Sequence, residues 1–190
     1  MEKELYSKYA GLFAFIGTFQ FILAMIIAEA RYVGYSIRNN YISDLGVGTT
    51  APIFNTSIII FGILIILASV LIYKGLNFRL FSILMFIAGL GAALVGVFPE
   101  NSPYHIHTIV SFITFFFGSL AVISSFKVQK SIMSYVSVII GLISLTSLIL
   151  YALGITLGIG FGGMERMIAY PILLWTLYFS GYLYSLESKL

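Results

Sequence analysis

One stretch of the sequence, Pro99–Ser111, gathers the residue types that could do proton-transfer chemistry. It holds both histidines, two of the four prolines and Glu100, one of only seven carboxylates. Histidine titrates near neutral pH and is the commonest general acid or base in enzymes. The stretch lies between two runs that are apolar enough to cross a bilayer. A polar turn that opens into a hydrophobic helix is therefore the first candidate site.

The composition excludes a water-soluble fold. Of the 190 residues, 60% are hydrophobic and only 9% are charged, whereas a soluble domain carries about 25% charged residues. The chain is therefore predicted to be an integral membrane protein without a soluble domain. The absence of cysteine excludes disulfides and thiolate metal ligands. The net charge of +3 indicates membrane topology and does not favour a nucleic-acid partner.

Six uncharged runs are long enough to span a membrane, since a span needs about 20 residues. The sequence is therefore predicted to form a single all-α transmembrane domain, residues 1–190, with six helices in a bundle. The first run, Tyr9–Ala28, is longer than the apolar region of a cleaved signal peptide and is predicted to remain as the first helix. The glycine-rich residues 154–163 are predicted to form a loop. The predicted helices cover about residues 9–31, 52–73, 79–98, 105–126, 131–154 and 164–186.

Basic residues predict the orientation, because cytoplasmic loops of membrane proteins are enriched in lysine and arginine. Seven of the ten basic residues lie on the side of both termini and three on the other side. Both termini are therefore predicted to be cytoplasmic, in a multi-pass protein of the plasma membrane. The seven are Lys3, Lys8, Lys74, Arg79, Lys127, Lys130 and Lys189, and the three are Arg31, Arg38 and Arg166.

Small and hydroxylated residues indicate which helix faces pack inward, because they let helices in lipid approach closely. His107 lies one turn before such a stripe in the fourth helix and is predicted to face the bundle. His105 is predicted to lie on nearly the opposite side of the helix. In the second helix Asn55 aligns with Gly62 and is predicted to face inward near the outer end. The stripe in the fourth helix consists of Ser111, Thr114, Gly118, Ala121 and Ser125.

The strongly polar side chains lie mostly in the outer half of the predicted bundle. They favour a pocket open to the extracytoplasmic side that binds or processes a lipid-type amphiphile with an anionic headgroup. In this interpretation His107 is the acid or base and Asp44 and Glu100 are the carboxylates that assist it. Arg166 would hold the anion, because arginine suits phosphate or carboxylate and here opens a helix after a glycine-rich loop. The other substrate-binding candidates are Glu165, Ser43 and Asn55, and Ser43 or Ser102 could serve as a nucleophile.

Four short motifs are spread along the chain: Ser43-Asp44-Leu45-Gly46, Phe98-Pro99-Glu100, His107 and Glu165-Arg166. In this order and placement they resemble an uncharacterised family of small six-helix membrane proteins, domain-of-unknown-function family 998 (DUF998). The resemblance covers nearly the whole chain and implies the same six-helix fold. Such families have been likened to membrane-embedded lipid hydrolases that use histidines, an aspartate and a serine. This sequence lacks a second inward histidine and the paired-histidine motif late in the chain, so it departs from that plan.

Other interpretations of the same residues stay open. A metal site of Asp44, Glu100, His107 and Glu165 has no pair of histidines on one helix face, so neither a metal nor another cofactor is predicted. The polar residues could instead pair with one another and fix the outer loops of a non-catalytic scaffold or complex subunit. A small-solute transporter is less favoured, since transport sites lie near the bilayer midplane. Membrane lipids are the predicted partners, and a homo-oligomer or a membrane-complex partner is compatible with the sequence.

Overall fold

Six α-helices and no strand are present in the part of the chain that the computed structural model describes, residues 2–129 and 132–186. Helices α1 to α5 are each long and apolar enough to cross a membrane. The protein is therefore membrane-integral and all-helical, as predicted. The helices are α1 Glu2–Arg31, α2 Ala51–Leu76, α3 Arg79–Val97, α4 Ile106–Ser124, α5 Met133–Ala152 and α6 Gly160–Ser185. Lys130 and Lys189 of the charge count, and the predicted start of the fifth helix at Ser131, lie outside the described residues.

The helices form a closed ring in chain order. Each helix packs against the next, and α6 packs against α1, while α4 and α6 make a smaller contact across the ring. The α1–α2, α3–α4 and α5–α6 connections consequently meet at one end of the bundle, which we call the polar end. Every predicted site residue lies in one of these connections or in the first turns of the helix that follows it.

The first connection, residues 32–50, folds over the polar end and packs against it. It contains two short 3-10 helices, Ser43–Gly46 and Gly48–Thr50, and the Leu45 side chain is fully buried. The Thr50 hydroxyl donates to the Leu45 carbonyl at 2.9 Å. The predicted loop is therefore a packed cap, and this packing holds Ser43 and Asp44 in fixed positions.

Helix α6 begins at Gly160, earlier than the predicted position 164. The first connection lies directly on this part of the helix, and the Gly162 N–H donates to the Arg38 carbonyl at 3.1 Å. A Cβ atom at Gly160 or Gly162 would collide with the carbonyl oxygen of Arg38 or Asn40, respectively. The prediction of a loop up to residue 163 was wrong because these glycines serve a close approach between backbones.

Helix α1 begins at Glu2, a full two turns before the predicted position 9. The prediction counted only the uncharged run, and Glu2, Lys3 and Glu4 extend the helix beyond it. The other bounds differ from prediction by three residues or fewer. Inside the ring, α2 and α3 touch at Gly62, where a Cβ atom would collide with the backbone of Gly89 and Ala93.

Candidate functional site

A cavity of about 240 Å³ opens at the polar end, and we call it the outer chamber. All three connections or the helix ends beside them contribute to its wall, which mixes acidic, hydroxyl, imidazole and aromatic groups. Its lining residues are Tyr41, Ser43, Glu100, His107, Thr108, Ser111, Phe112, Phe115, Leu148, Tyr151, Ala152 and Glu165.

A second cavity of about 100 Å³, the inner chamber, lies inside the ring and has an almost entirely apolar lining from α1, α2, α3, α4 and α6. On α4 the lining extends from Ser111 to Val122, which is about 16 Å at roughly 1.5 Å per residue. That depth is about half of the roughly 30 Å hydrocarbon core of a bilayer. The two chambers share the lining residues Ser43, Ser111, Phe115 and Glu165, so they adjoin.

His107 is buried at the start of α4, whereas His105 is exposed, as the helical stripe predicted. The Nδ1 atom of His107 lies 2.8 Å from the Phe98 carbonyl oxygen, and Nε2 lies 3.2 Å from the Ser111 hydroxyl. A carbonyl can only accept, so Nδ1 donates its proton there and the neutral ring accepts at Nε2. The arrangement places a base beside a hydroxyl, with the base oriented by the backbone at the end of α3.

The sequence places Ser111 only in the packing stripe, and Ser43 and Ser102 were the predicted nucleophiles. Ser43 lines both chambers, and Ser102 lines neither. The signal for Ser111 was its spacing, because residues four apart on a helix lie on the same face. That spacing brings the Ser111 hydroxyl to the imidazole and to the junction between the two chambers.

Two carboxyl groups from different connections meet at the outer chamber. Glu100 forms a side-chain hydrogen bond with Asp44, and Asp44 Oδ2 also accepts from the Asn40 side chain at 2.8 Å and the Tyr41 N–H at 3.0 Å. Burial raises the pKa of Glu100 to about 8, and the hydrogen bond with Asp44 and its negative charge add to the effect. Glu100 therefore holds its proton at neutral pH.

Glu165 is buried where the two chambers adjoin. Its Oε2 atom accepts a hydrogen bond from the Ile42 N–H, and the side chain is also bonded to the backbone of Ser43. These contacts join α6 to the cap. They also place a carboxylate between the polar and the apolar cavity.

Arg166, the next residue, points toward α1 and the first connection. It forms an ion pair with Glu29 at 2.7 Å and bonds to the Tyr35 hydroxyl at 2.5 Å. Its Nη1 atom donates to the carbonyls of Ile37, Asn40 and Gly162 at 3.3, 3.1 and 2.8 Å. Glu29 lies 137 positions away in the chain and was not predicted to be the partner of Arg166.

The predicted site residues thus divide into two groups. Ser43, Glu100, His107 and Glu165 line a chamber, and Asp44 is bonded to one of them. Asn55 and Arg166 line neither chamber: the Asn55 amide donates to the Gly46 carbonyl at 3.0 Å and Arg166 holds the first connection. Within residues 2–129 and 132–186, no group of three or more histidine, aspartate or glutamate side chains is arranged to hold a metal ion.

The family profile described as "Protein of unknown function (DUF998)" matches residues 15–181. The chain belongs to this family. Neither the comparison with curated proteins nor that with solved structures gives a match.

In this DUF998 protein, the four motifs that carried the resemblance all lie at the polar end. Asp44 from the first motif bonds Glu100 from the second, and Glu165 from the fourth accepts from the Ile42 N–H beside the first. His107 bonds the Phe98 carbonyl of the second motif. Residues separated by up to about two thirds of the chain therefore form one connected structure around the outer chamber.

Proposed function

We propose that this protein binds a lipid-type amphiphile, with the headgroup in the outer chamber and the tail in the inner chamber. The observation that carries the proposal is that the two chambers share four lining residues while their walls differ in polarity. Ligand sites are concave, mostly apolar and oriented by a few polar groups. Membrane lipids are the most abundant source of such molecules around a membrane-integral chain.

The proposal includes an orientation. Helix α6 is the sixth span, and both termini lie in the cytoplasm, because the lysines that the structure describes all lie at the end opposite the polar end. Residues 1–190 then form one transmembrane domain in the plasma membrane. The outer chamber opens on the extracytoplasmic side, so amphiphiles reach it from the outer leaflet.

The chain's own residues have distinct roles in this proposal. His107, Glu100 and Ser43 contact the headgroup, with Glu165 at the junction between headgroup and tail. Asp44 orients Glu100. Arg166 and Asn55 hold the cap through the carbonyl groups that they bind.

Processing of the bound amphiphile is the second candidate, and the hydrogen bond between Ser111 and His107 favours it. For an ester substrate, the Ser111 oxygen would attack the carbonyl carbon while its proton passes to His107 Nε2. The same proton would then go to the departing alcohol, and water would release the acyl group. A fluorophosphonate probe should label Ser111 in the wild-type protein and fail to label the His107→Gln variant. If Ser111 is not labelled in the wild type, the protein binds the amphiphile without processing it.

Trp175 gives a direct test of binding, because it is the chain's single tryptophan and lines the inner chamber. An amphiphile with a brominated tail should quench its fluorescence saturably in a neutral detergent micelle. Val95→Phe should weaken the binding about tenfold, since Val95 is 6% exposed and lines the inner chamber.

Val97→Phe is the matched control, because Val97 lies on the same helix, two residues away, and is 54% exposed. It should bind the amphiphile as the wild type does. Quenching that rises linearly with bromine content in all three proteins would show contact with the surrounding micelle and would refute the proposed function.

A further inference from the structure

The charges around the two chambers are unbalanced. Their described lining contains the carboxyl groups of Glu100 and Glu165, and it contains no lysine or arginine. Asp44 adds a third carboxyl group through its hydrogen bond with Glu100. A headgroup in the outer chamber therefore lies among acidic side chains.

The one arginine buried at this end does not correct the imbalance. Arg166 is paired with Glu29 at 2.7 Å, and its other bonds go to the Tyr35 hydroxyl and to backbone carbonyls. Since Glu29 offsets the charge of Arg166, Arg166 does not neutralise the carboxyl groups of Glu165, Glu100 and Asp44. An anionic headgroup would meet carboxylates and no free cation in the chamber, which is unfavourable in a poorly solvated site.

The wall of the outer chamber also presents aromatic rings. Tyr41 and Tyr151 line it, and their ring centroids lie 6.1 Å apart. Phe161 packs edge-on against both of them, at 6.4 and 5.9 Å. Aromatic faces attract cations, and quaternary ammonium groups are recognised in this way.

We propose that the outer chamber selects an amphiphile with a cationic ammonium headgroup. This inference rests on the proposed function, whose site it specifies, and it replaces the anionic headgroup of the sequence analysis. The ammonium group lies between the carboxyl groups of Glu100 and Glu165, with Tyr41 and Tyr151 beside it. The alkyl tail continues past Ser111 and Phe115 into the inner chamber.

The Asp44–Glu100 pair makes such binding sensitive to pH. Without ligand, the pKa of Glu100 is about 8 because burial and Asp44 disfavour its charge. An ammonium group beside it favours the ionised form, so binding releases this proton. The titratable groups that face Glu100 are Asp44 in the cap, Glu165 on α6 and Tyr151 on α5, and His107 shares its chamber. Affinity for a cation should rise with pH up to the pKa of Glu100.

The experiment compares three probes with the same brominated alkyl chain, bearing a trimethylammonium, a phosphate or a glucoside headgroup. Each is titrated into the protein in a neutral maltoside micelle, and Trp175 quenching is measured against its mole fraction in the micelle. The trimethylammonium probe should bind at least about tenfold more tightly than the phosphate probe above the pKa of Glu100. The advantage should shrink as the pH falls.

Two variants identify the groups responsible. Glu100→Gln should lower the preference for the cation about fivefold and reduce its dependence on pH, and Glu165→Gln should also lower the preference. Glu2→Gln removes the same charge at the opposite end and should change neither property. Equal or tighter binding of the phosphate probe overturns the headgroup inference and leaves the proposed function standing. Absence of saturable quenching with every probe, the uncharged glucoside included, overturns both.

Discussion

Two buried polar clusters lie at opposite ends of this bundle, and they differ in what their polar atoms face. At the end opposite the outer chamber, Gln129 donates to the hydroxyls of Ser125 and Ser137 at 3.0 and 2.8 Å and accepts from Tyr178 at 2.9 Å. Ser137 also accepts from the Trp175 indole at 2.8 Å. We call Gln129, Ser125, Ser137 and Tyr178 the Gln129 cluster; Trp175 adjoins it and itself lines the inner chamber. Its hydrogen bonds connect the α4–α5 connection with α5 and α6.

At the polar end, some buried polar side chains contact only protein atoms, whereas others also line a cavity. Arg166 resembles the Gln129 cluster, because its partners are protein atoms. His107, Glu100 and Glu165 also have protein partners, yet they line the outer chamber as well. Burial alone therefore does not show whether a polar residue serves packing or the proposed binding. The distinguishing feature is whether the residue also borders a cavity.

The largest expected effect is the loss of stability in Arg166→Ala. This substitution leaves Glu29 and three carbonyl groups without their buried partner, and breaking such a pair costs about 3–5 kcal/mol. The melting temperature should therefore fall steeply, as measured by Trp175 fluorescence in detergent. Arg38→Ala removes an exposed arginine from the same end and should change it little. If both variants melt alike, Arg166 does not hold the cap.

Gln129→Leu should lower stability by about 1–3 kcal/mol, because it removes the hydrogen-bond partner of buried polar groups. Binding of the brominated probe to the folded protein should remain unchanged, since Gln129 lines neither chamber. Lys127→Leu changes an exposed residue of the same turn and is the control for added apolar surface. A loss of affinity in Gln129→Leu at a temperature where it is folded would remove the distinction between the two clusters.

Sequence reasoning predicted features that depend on local periodicity. The apolar runs indicated the helices, and the small-residue stripe placed His107 inside and His105 outside. Contacts between distant segments were not accessible in this way. The pairing of Arg166 with Glu29 depends on how α6 closes the ring against α1, and the meeting of Asp44 with Glu100 depends on how the first connection folds. Ser111 is the intermediate case, since its spacing from His107 was visible but a serine in a membrane helix usually indicates packing.

Glu100→Gln should have a smaller effect on stability, and its sign depends on pH. The pKa of Glu100 is raised from the ordinary 4.5 to about 8 in the folded protein, chiefly by burial. Below the ordinary value both states hold the proton, and as pH rises toward 8 only the folded state does, so the wild type loses stability. Because Glu100 is partly exposed, solvent reduces the size of this loss.

The melting temperature of Glu100→Gln should therefore increase relative to that of the wild type as pH rises toward 8, and the difference should stay constant above pH 8. Glu2→Gln, which removes an exposed carboxylate, serves as the control. Parallel curves for Glu100→Gln and wild type would contradict the raised pKa. The same result would also remove the support that proton release gives to a cationic headgroup.

The smallest effects, and the sharpest comparison, come from two serines on α4. Ser111 bonds His107 and lines both chambers, whereas Ser119 lines neither: it donates to the Phe115 carbonyl and contacts the Ser144 hydroxyl, both at 2.8 Å. Ser111→Ala should weaken probe binding a few-fold and change stability by less than about 1 kcal/mol. Ser119→Ala should leave affinity unchanged and lower stability by about 1 kcal/mol, because it breaks a link between α4 and α5.

The two substitutions remove the same atom from the same helix, eight residues apart, so general effects of losing a hydroxyl cancel between them. Ser111→Ala should then lower the affinity measured by Trp175 quenching, and Ser119→Ala should lower the melting temperature. If Ser119→Ala reduces affinity as much as Ser111→Ala, binding in the inner chamber depends on helix packing as a whole, and lining the cavity gives Ser111 no larger role in binding. If only Ser111→Ala reduces affinity, the serine of α4 that lines the chambers contributes to binding, and the serine that lines neither chamber contributes only to helix packing.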